Sequence, residues 1–176
     1  MFFTFVQHME TDRNAEGRFT AQVFHIRLNS TGIAEAERMA DCLQDSRFTA
    51  IFCSDQIRAI ETAVIIACRH EEAGYIVTDQ RLREVNVGKL VGVRQAEVAE
   101  PLYKTRHPNF DFRPAGGESK SDVIGRLCAF IGQVKADYYN TGEVLIVGHG
   151  TALRVLLEHF RVPEVLTRKN FVRVQI

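Results

Sequence analysis

Residues 144–160 read VLIVGHGTALRVLLEHF, and this stretch decides the class of fold. Residues 144–148 are short and apolar, which is typical of a strand buried within a sheet. Residues 151–160 are predicted to form the helix that follows. A buried strand that leads at once into a helix indicates an α/β sheet with helices packed on its faces.

The same alternation of strands and helices continues on both sides of this stretch. Further strands are predicted at residues 2–6, 49–53, 75–78 and 172–176. Helices are predicted from Ser30 or Thr31 to Leu43, at 57–67 with Ser54 or Asp55 as cap, at 94–100, and from Ser119 or Ser121 to Val134. We therefore expect a single domain over residues 1–176, an α/β three-layer sandwich whose mostly parallel central sheet is flanked by helices.

Residues 101–117 are predicted to form an ordered loop or lid. They contain three of the four prolines and the pair Gly116-Gly117, which favour turns over regular elements. The basic and aromatic side chains of this segment are Tyr103, Lys104, Arg106, His107, Phe110, Phe112 and Arg113. Such side chains suit an anionic ligand, and they suit an ordinary solvated loop nearly as well.

The balance of charge argues against some functions. Lys and Arg together number 22, as do Asp and Glu, so the formal net charge is zero. Proteins whose main task is to bind nucleic acid or an anionic membrane carry a basic excess, so we expect neither partner. The apolar runs are too short for a signal or a membrane span, and the four cysteines lack paired spacing. A cytoplasmic protein is therefore expected.

Polar residues follow three predicted strands at the edge of the sheet where ligands bind. That edge is formed by the carboxyl ends of the strands, next to helix N-termini that attract anions. The residues in question are Gln7 and His8, then Arg58, then His149 and Gly150. Two histidines and an arginine on one rim indicate a phosphate site. Taken singly, they have ordinary alternatives: a structural histidine, a turn residue, and an arginine paired with Asp55 or Glu61.

Five motifs in order carry a resemblance to a known family. They are HMET at 8–11 with Asn14, EGRF at 16–19 and LNSTG at 28–32; SDQIRA at 54–59 with ETA at 61–63; LRE at 82–84 with Gly88 and Gly92; GGES at 116–119; and IVGHGT at 146–151 with Arg154 and, later, Asn170. In order and spacing they resemble the histidine phosphatase superfamily, the phosphoglycerate mutase-like family, over nearly the whole chain. One such motif would be weak evidence, whereas five in order favour membership and a phosphoglycerate mutase-like fold.

The resemblance implies a role for each matched residue. His8 would attack phosphorus in line and carry the phosphoryl group, and Glu84 would protonate the leaving oxygen and then help to activate water. Arg58 and His149 would complete the catalytic set. The expected phosphate- or substrate-binding residues are Gln7, Asn14, Arg58, His149 and Gly150. Members of the family need neither a metal nor another cofactor, so none is expected here.

Two positions depart from the family's opening motif R-H-G-E-T. The arginine before the nucleophile is Gln7 here, and the glycine after it is Met9. Glutamine offers a neutral amide in place of a charged fork, and hydrogen bonds to charged groups contribute about 1.5–3 kcal/mol. The exchange is expected to lower phosphate affinity or rate by about one to two orders of magnitude. Met9 would narrow the pocket or form an apolar wall, and Arg13, Arg18 or Arg94 would supply the missing charge.

Three functions fit this pattern. The first is a phosphomonoesterase that hydrolyses a small phosphorylated metabolite through phosphohistidine on His8. The second is a phosphoglycerate mutase, although the mutases of the family are longer between the Glu84-like position and the G-G-E-S motif, where only residues 85–115 lie here. The third is a weakly active pseudophosphatase that binds a phosphorylated ligand, as the two departures suggest. The sequence names neither the substrate nor the oligomeric state, and a homodimer is compatible with it.

Overall fold

The computed structural model describes residues 1–70, 74–98, 113–138 and 142–176, and in these parts of the chain five strands form one sheet. The strands are β1 (Phe2–Gln7), β2 (Ala50–Cys53), β3 (Ile76–Thr78), β4 (Glu143–Gly148) and β5 (Val172–Gln175). They are ordered β3-β2-β4-β1-β5 across the sheet. The first four are parallel, and β5 pairs antiparallel with β1.

Strand β4 is the central strand, and all of its residues are buried. Its register pairs Gly148 with Gln7 of β1 and Val147 with Cys53 of β2. The carboxyl ends of these three strands therefore meet at one edge of the sheet. As a result, the residues that follow each strand become neighbours, although they are far apart in the sequence.

Helices cover both faces of the sheet. They are α1 (Asp12–Ala15), α2 (Ser30–Leu43), α3 (Ile57–Ala67), α4 (Lys120–Asp137) and α5 (Gly150–His159). Phe5 and Ile146 pack with buried residues of α4 and α5, whereas Val6 and Val147 pack with those of α2 and α3. Successive strand residues thus serve opposite cores, as the pleat of a strand requires. The predicted three-layer α/β sandwich is confirmed.

The residues that cap two of the helices differ from those predicted. Helix α2 begins where expected, but its cap is Asn29, whose side chain accepts a hydrogen bond from the Gly32 N–H at 2.8 Å. Helix α3 is preceded by Gln56 at the cap position rather than by the predicted serine or aspartate. Helix α4 begins as predicted, because Ser119 and Asp122 form a reciprocal capping box.

Two predictions concern the segment between β3 and α4. The predicted helix at 94–100 is not found in the described residues, and most of the predicted lid at 101–117 lies outside them. The helix predicted at 94–100 is described only as far as residue 98, and this part holds a 3-10 turn, Gln95–Glu97, rather than an α-helix. Residues 99–112 lie outside the described part, together with the first six basic and aromatic side chains of the predicted lid. Arg113, the seventh, pairs with Asp122 at 2.6 Å. Among the described residues, no helix is both long enough and apolar enough to cross a membrane.

Candidate active site

Strand β1 ends at Gln7 and brings His8 to the carboxyl edge of the sheet. The side chain is buried, and its Nδ1 lies 2.8 Å from the carbonyl oxygen of Met9. A carbonyl can only accept a hydrogen bond, so Nδ1 carries the proton. Nε2 is therefore the nitrogen with the lone pair, which is the form that a nucleophilic histidine requires.

The surroundings of His8 keep its imidazole neutral. Burial lowers the pKa of His8 from 6.5 to about 3, and the charges of Arg58 and Arg168 act in the same direction, whereas the bond to Met9 opposes them. Burial acts this way because it disfavours the charged form of the ring. His8 is thus uncharged, with its Nε2 lone pair present, throughout the neutral and mildly acidic range.

Arg58 lies in the first turn of α3 and is fully buried. Its Nε donates to Nε2 of His8 at 3.2 Å, and its two terminal nitrogens donate to the carbonyl oxygens of Val23 at 2.9 Å and Ala21 at 2.8 Å. Burial lowers the pKa of Arg58 to about 10, and the charge of Glu84 opposes this shift. Arg58 therefore remains a cation at neutral pH and is held against the nucleophile by backbone carbonyl groups.

The turn that carries these carbonyl groups has an unusual backbone conformation. Ala21 has φ = 46°, in the left-handed region, and its methyl group is buried. A residue with a side chain is disfavoured there by roughly 1–2 kcal/mol. The sequence gives no sign of this feature, because alanine does not signal a left-handed turn.

His149 stands at the cap position of α5, directly after β4. Its ring is fully buried, and the ring centroids of His149 and His8 are 5.0 Å apart at an interplanar angle of 62°. Burial first, and then the charge of Arg58, lower the pKa of His149 well below its ordinary value. Neither ring nitrogen has a hydrogen-bond partner among the described residues. Buried polar atoms are normally paired, so this ring is suited to a ligand that supplies the partner.

Glu84 binds the N-terminus of α5, beside His149. Its carboxylate accepts hydrogen bonds from the backbone N–H groups of Ala152 at 3.0 Å, Thr151 at 3.4 Å and Val85 at 2.8 Å. The side-chain oxygen of Gln56 accepts from the Glu84 N–H at 3.1 Å and from Arg58 at 3.3 Å, so it links the two residues. The structure thus gathers His8, Arg58 and His149 at one edge, as the strand ends predicted, and adds Glu84, whose place only the family resemblance implied.

The remaining predicted ligands of the phosphate, Gln7, Asn14 and Gly150, lie on β1, α1 and α5. The Gln7 carboxamide packs on Gly150, because a Cβ placed on that glycine would lie 2.8 Å from the Gln7 Cδ. The Thr11 hydroxyl donates a hydrogen bond to Oδ1 of Asn14, on α1, at 2.9 Å. This bond orients the amide so that its Nδ2 remains the donor end, as binding a phosphate oxygen would require.

The model of the histidine phosphatase superfamily, branch 1, matches residues 3–171 of the chain. The chain belongs to the histidine phosphatase superfamily. Because its relatives include phosphatases and mutase-like proteins, it is a phosphatase-type enzyme of this superfamily.

Three known proteins illustrate what the chain is similar to. The chain is 30% identical over 163 residues to phosphoglycerate mutase-like protein 4 of Arabidopsis thaliana, covering 89% of this chain and 69% of that protein. It is 32% identical over 159 residues to the metal-independent phosphoserine phosphatase of the same plant, covering 86% of this chain and 65% of that protein. The solved structure of Bacillus stearothermophilus YhfR superposes with a TM-score of 0.83 at 25% identity, covering 99% and 91%.

Met9, one of the two departures from the superfamily motif, does not shape the pocket as predicted. Its side chain is fully buried and belongs to the hydrophobic core between the sheet and helices α2 and α3. Its N–H donates to the hydroxyl of Thr62 at 3.1 Å. The predictions that Met9 narrows the pocket or forms an apolar wall are therefore wrong, because its bulk is accommodated in the core.

Two of the three arginines predicted to replace the missing charge, Arg13 and Arg18, lie at Gly92, and the backbone of Arg94 pairs with that of Arg18. Arg18 donates to the Gly92 carbonyl oxygen at 2.8 Å and pairs with Glu16 at 2.8 Å. Arg94 forms a β-bridge with Arg18, and the Arg13 guanidinium lies beside Gly92. The charges that lower the pKa of His8 belong to Arg58 and to Arg168, which carries no motif and was missed.

The glycine motifs hold the segment that carries Glu84. Gly88 and Gly117 allow the backbones of residues 86–88 and 115–117 to touch, since a Cβ on either glycine would collide with the facing backbone. Glu118 pairs with Arg126 at 2.8 Å, and Arg126 also donates to the Glu84 carbonyl oxygen at 3.3 Å. Within the described ranges, no group of three or more His, Cys, Asp or Glu side chains is placed to bind a metal ion.

Proposed function

We propose that this chain is a phosphomonoesterase that hydrolyses a small phosphorylated metabolite through a phosphohistidine at Nε2 of His8. The observation that carries the proposal is the fixed tautomer of His8. Its Nδ1 proton is bound to the Met9 carbonyl oxygen, while Nε2 faces Arg58. Phosphoryl transfer depends mainly on such positioning and on neutralising charge.

Binding of the phosphate would rearrange the hydrogen bonds of the site. In the free protein the Arg58 Nε occupies the lone pair of His8 Nε2. When phosphorus approaches Nε2, this donor transfers to a phosphate oxygen, and one ring nitrogen of His149 donates to another. The N–H of Gly150 lies in the first turn of α5, at the positive end of the helix dipole, and would donate a further hydrogen bond to the phosphate.

The first chemical step forms the bond between Nε2 and phosphorus and breaks the bond between phosphorus and the leaving oxygen. The Met9 carbonyl oxygen stabilises the positive charge that develops on the imidazole, because it accepts a hydrogen bond from Nδ1–H. Glu84 would give its proton to the leaving oxygen, for which one carboxyl oxygen must leave the N–H groups of α5. Water then attacks phosphorus, Glu84 takes a proton from it, and His8 is regenerated with release of phosphate.

Metal independence is part of the proposal. The positive charge that a metal would bring to the phosphate is available here from Arg58, which is fixed and buried beside His8. Neutral His149 adds a donor without adding charge, because its pKa lies well below the ordinary value. Arg58 and the dipole of α5 would balance part of the charge of a phosphate dianion.

A second candidate is a weakly active protein that mainly binds a phosphorylated ligand. It is favoured by the same geometry of Arg58, whose Nε blocks the nucleophilic lone pair and whose remaining nitrogens bind carbonyl oxygens. The absence of an arginine at position 7 points in the same direction. A phosphoglycerate mutase remains the third candidate.

Phosphate release from p-nitrophenyl phosphate and a panel of phosphorylated metabolites tests the proposal. The reactions contain a chelator and span roughly pH 5–8, the range in which free histidine changes charge. His8→Ala should abolish release, whereas His159→Ala, which removes an exposed histidine at the far end of α5, should not. Release by wild type that survives in His8→Ala contradicts the phosphohistidine mechanism. No release by wild type, with activity gained in Gln7→Arg, favours the binding protein, and isomerised 3-phosphoglycerate favours the mutase.

A further inference from the structure

Arg58 is the cation that contacts His8, and it offers the phosphate little beyond its Nε. Its terminal nitrogens are bound to the carbonyl oxygens of Ala21 and Val23. The neighbouring position, where relatives of the superfamily would place an arginine, is Gln7. A phosphate dianion carries up to two negative charges, so a site of this kind calls for a second cation.

Arg168 approaches the nucleophile from the loop between α5 and β5. Its Nη2 lies 3.2 Å from Oε2 of Glu10, and the side chains of this pair are 28% and 20% exposed. Glu10 follows His8 by two residues in the segment that leaves β1. The contact therefore ties a cation of the C-terminal loop to the segment that carries the nucleophile.

The turn that presents Arg168 is built by its neighbours. Leu166 is fully buried and anchors the loop in the core formed with α4 and α5. Asn170 accepts hydrogen bonds on Oδ1 from the Thr167 N–H at 2.7 Å and hydroxyl at 2.8 Å, and its Nδ2 donates to the Val165 carbonyl oxygen at 2.9 Å. Arg168 is thus held on a fixed turn, which reduces the entropy lost when its side chain binds a ligand.

We propose that Arg168 is the second cationic group of the phosphate site and binds a phosphate oxygen in place of the arginine absent at position 7. The inference rests on the proposed function, because it assigns a residue to the same site. It also explains Asn170, which matches the family pattern but has no part in the proposed mechanism: its hydrogen bonds hold the turn that carries Arg168. The charge of Arg168 already acts on His8, whose pKa it helps to lower.

The ion pair with Glu10 allows two roles for Arg168 to be separated. If Arg168 serves the phosphate, Glu10 competes with the phosphate for the same guanidinium, and Glu10→Gln should strengthen phosphate binding. If the pair only holds the loop to the β1 segment, Glu10→Gln and Arg168→Ala should weaken binding together. Glu10 also accepts a hydrogen bond from Asn29 at 3.3 Å, which a glutamine oxygen can retain.

The experiment measures the dissociation constant of inorganic phosphate by calorimetry, so it does not depend on turnover. Arg168→Ala should weaken binding by roughly ten- to hundredfold, the loss expected for a hydrogen bond to a charged group. Lys169→Ala is the matched control, since it removes an equal charge from the next, exposed residue of the turn. It should change the constant by less than about twofold, because exposed charges are screened by salt.

A second background tests the replacement itself. In Gln7→Arg, the added cation should make Arg168 less important, so Arg168→Ala should weaken phosphate binding by less than about threefold, as expected when two residues serve one ligand. Equal losses in both backgrounds, or a loss matched by Lys169→Ala, would overturn the proposal. So would weaker binding in Glu10→Gln.

The outcome for Arg168 is distinguishable from the outcome for catalysis. Wild type that binds phosphate through Arg168 but releases none from any substrate would leave this inference standing and overturn the phosphatase. Wild type that hydrolyses p-nitrophenyl phosphate with the same kcat/KM in Arg168→Ala would overturn this inference alone. Wild type that neither binds inorganic phosphate nor hydrolyses a substrate would overturn both.

Discussion

Protonation of His8 in the unfolded chain is expected to lower the stability of the fold in mildly acidic solution. Burial, followed by the charges of Arg58 and Arg168, lowers the pKa of His8 from 6.5 to about 3. In the unfolded chain the imidazole regains its ordinary pKa near 6.5. The stability linked to neutral His8 is therefore complete above about pH 6.5 and is lost as the pH falls toward 3, because the unfolded chain takes up the proton first.

The size of the effect follows from this difference in pKa. One pKa unit corresponds to about 1.4 kcal/mol, so between pH 7.5 and pH 5 the linkage removes about 2 kcal/mol from the free energy of unfolding. His149, whose pKa is also lowered, adds a loss in the same direction. Small domains are usually stable by roughly 5–15 kcal/mol, so the change is large enough to measure.

Urea unfolding at pH 7.5 and pH 5, followed by circular dichroism, measures this loss for wild type and for His8→Asn. The variant lacks the titrating ring, so it should lose about 2 kcal/mol less than wild type between the two pH values. His159→Asn, at an exposed position, should lose as much as wild type. An equal loss in wild type and His8→Asn would refute the argument from burial.

Three further predictions concern the glycines and the metal. Gly150→Ala should lower kcat/KM for p-nitrophenyl phosphate, since the new Cβ would lie 2.8 Å from the Gln7 carboxamide. Adding Gln7→Ala to this variant should restore part of the rate. An unchanged kcat/KM in Gly150→Ala alone would contradict the packing of Gln7 on Gly150. Gly88→Ala should lower the free energy of unfolding by about 2 kcal/mol or more, measured in urea, because φ is 57° and the new Cβ would collide with the Ala115 carbonyl oxygen. The control Gly125→Ala should not be destabilising, because a Cβ at that position of α4 meets open space. A chelator should leave the rate of phosphate release within about twofold of the untreated enzyme if arginine supplies the charge; a rate restored only by added metal would contradict this.

The central part of the site could be predicted because strand ends decide it. His8, Arg58 and His149 follow three buried apolar segments, and parallel strands bring their carboxyl ends to one edge whatever the loops do. Glu84 required the family resemblance, because a carboxylate between two loops has no periodic signal of its own. The same strand and helix signals predicted the order of layers.

Features that depend on packing between distant segments could not be predicted. Arg168 reaches Glu10 only because a turn between α5 and β5 is anchored in the core, and no spacing in the sequence records this. The inward position of Met9 depends on the space left between α2 and α3. The cap of α2 is Asn29 rather than the predicted Ser30 or Thr31. All three residue types are good caps, so the local sequence does not decide between them.

The direction of β5 decides which end of the molecule the C-terminal segment can serve. Because β5 is antiparallel to β1, with Val172 opposite Phe5, the chain enters this strand at the end where β1 leaves the sheet. The preceding loop is therefore brought to the histidine rim, whereas a parallel strand would have delivered it to the opposite end. A reversal of one edge strand thus brings the loop before β5, with Arg168, beside the residues that follow β1.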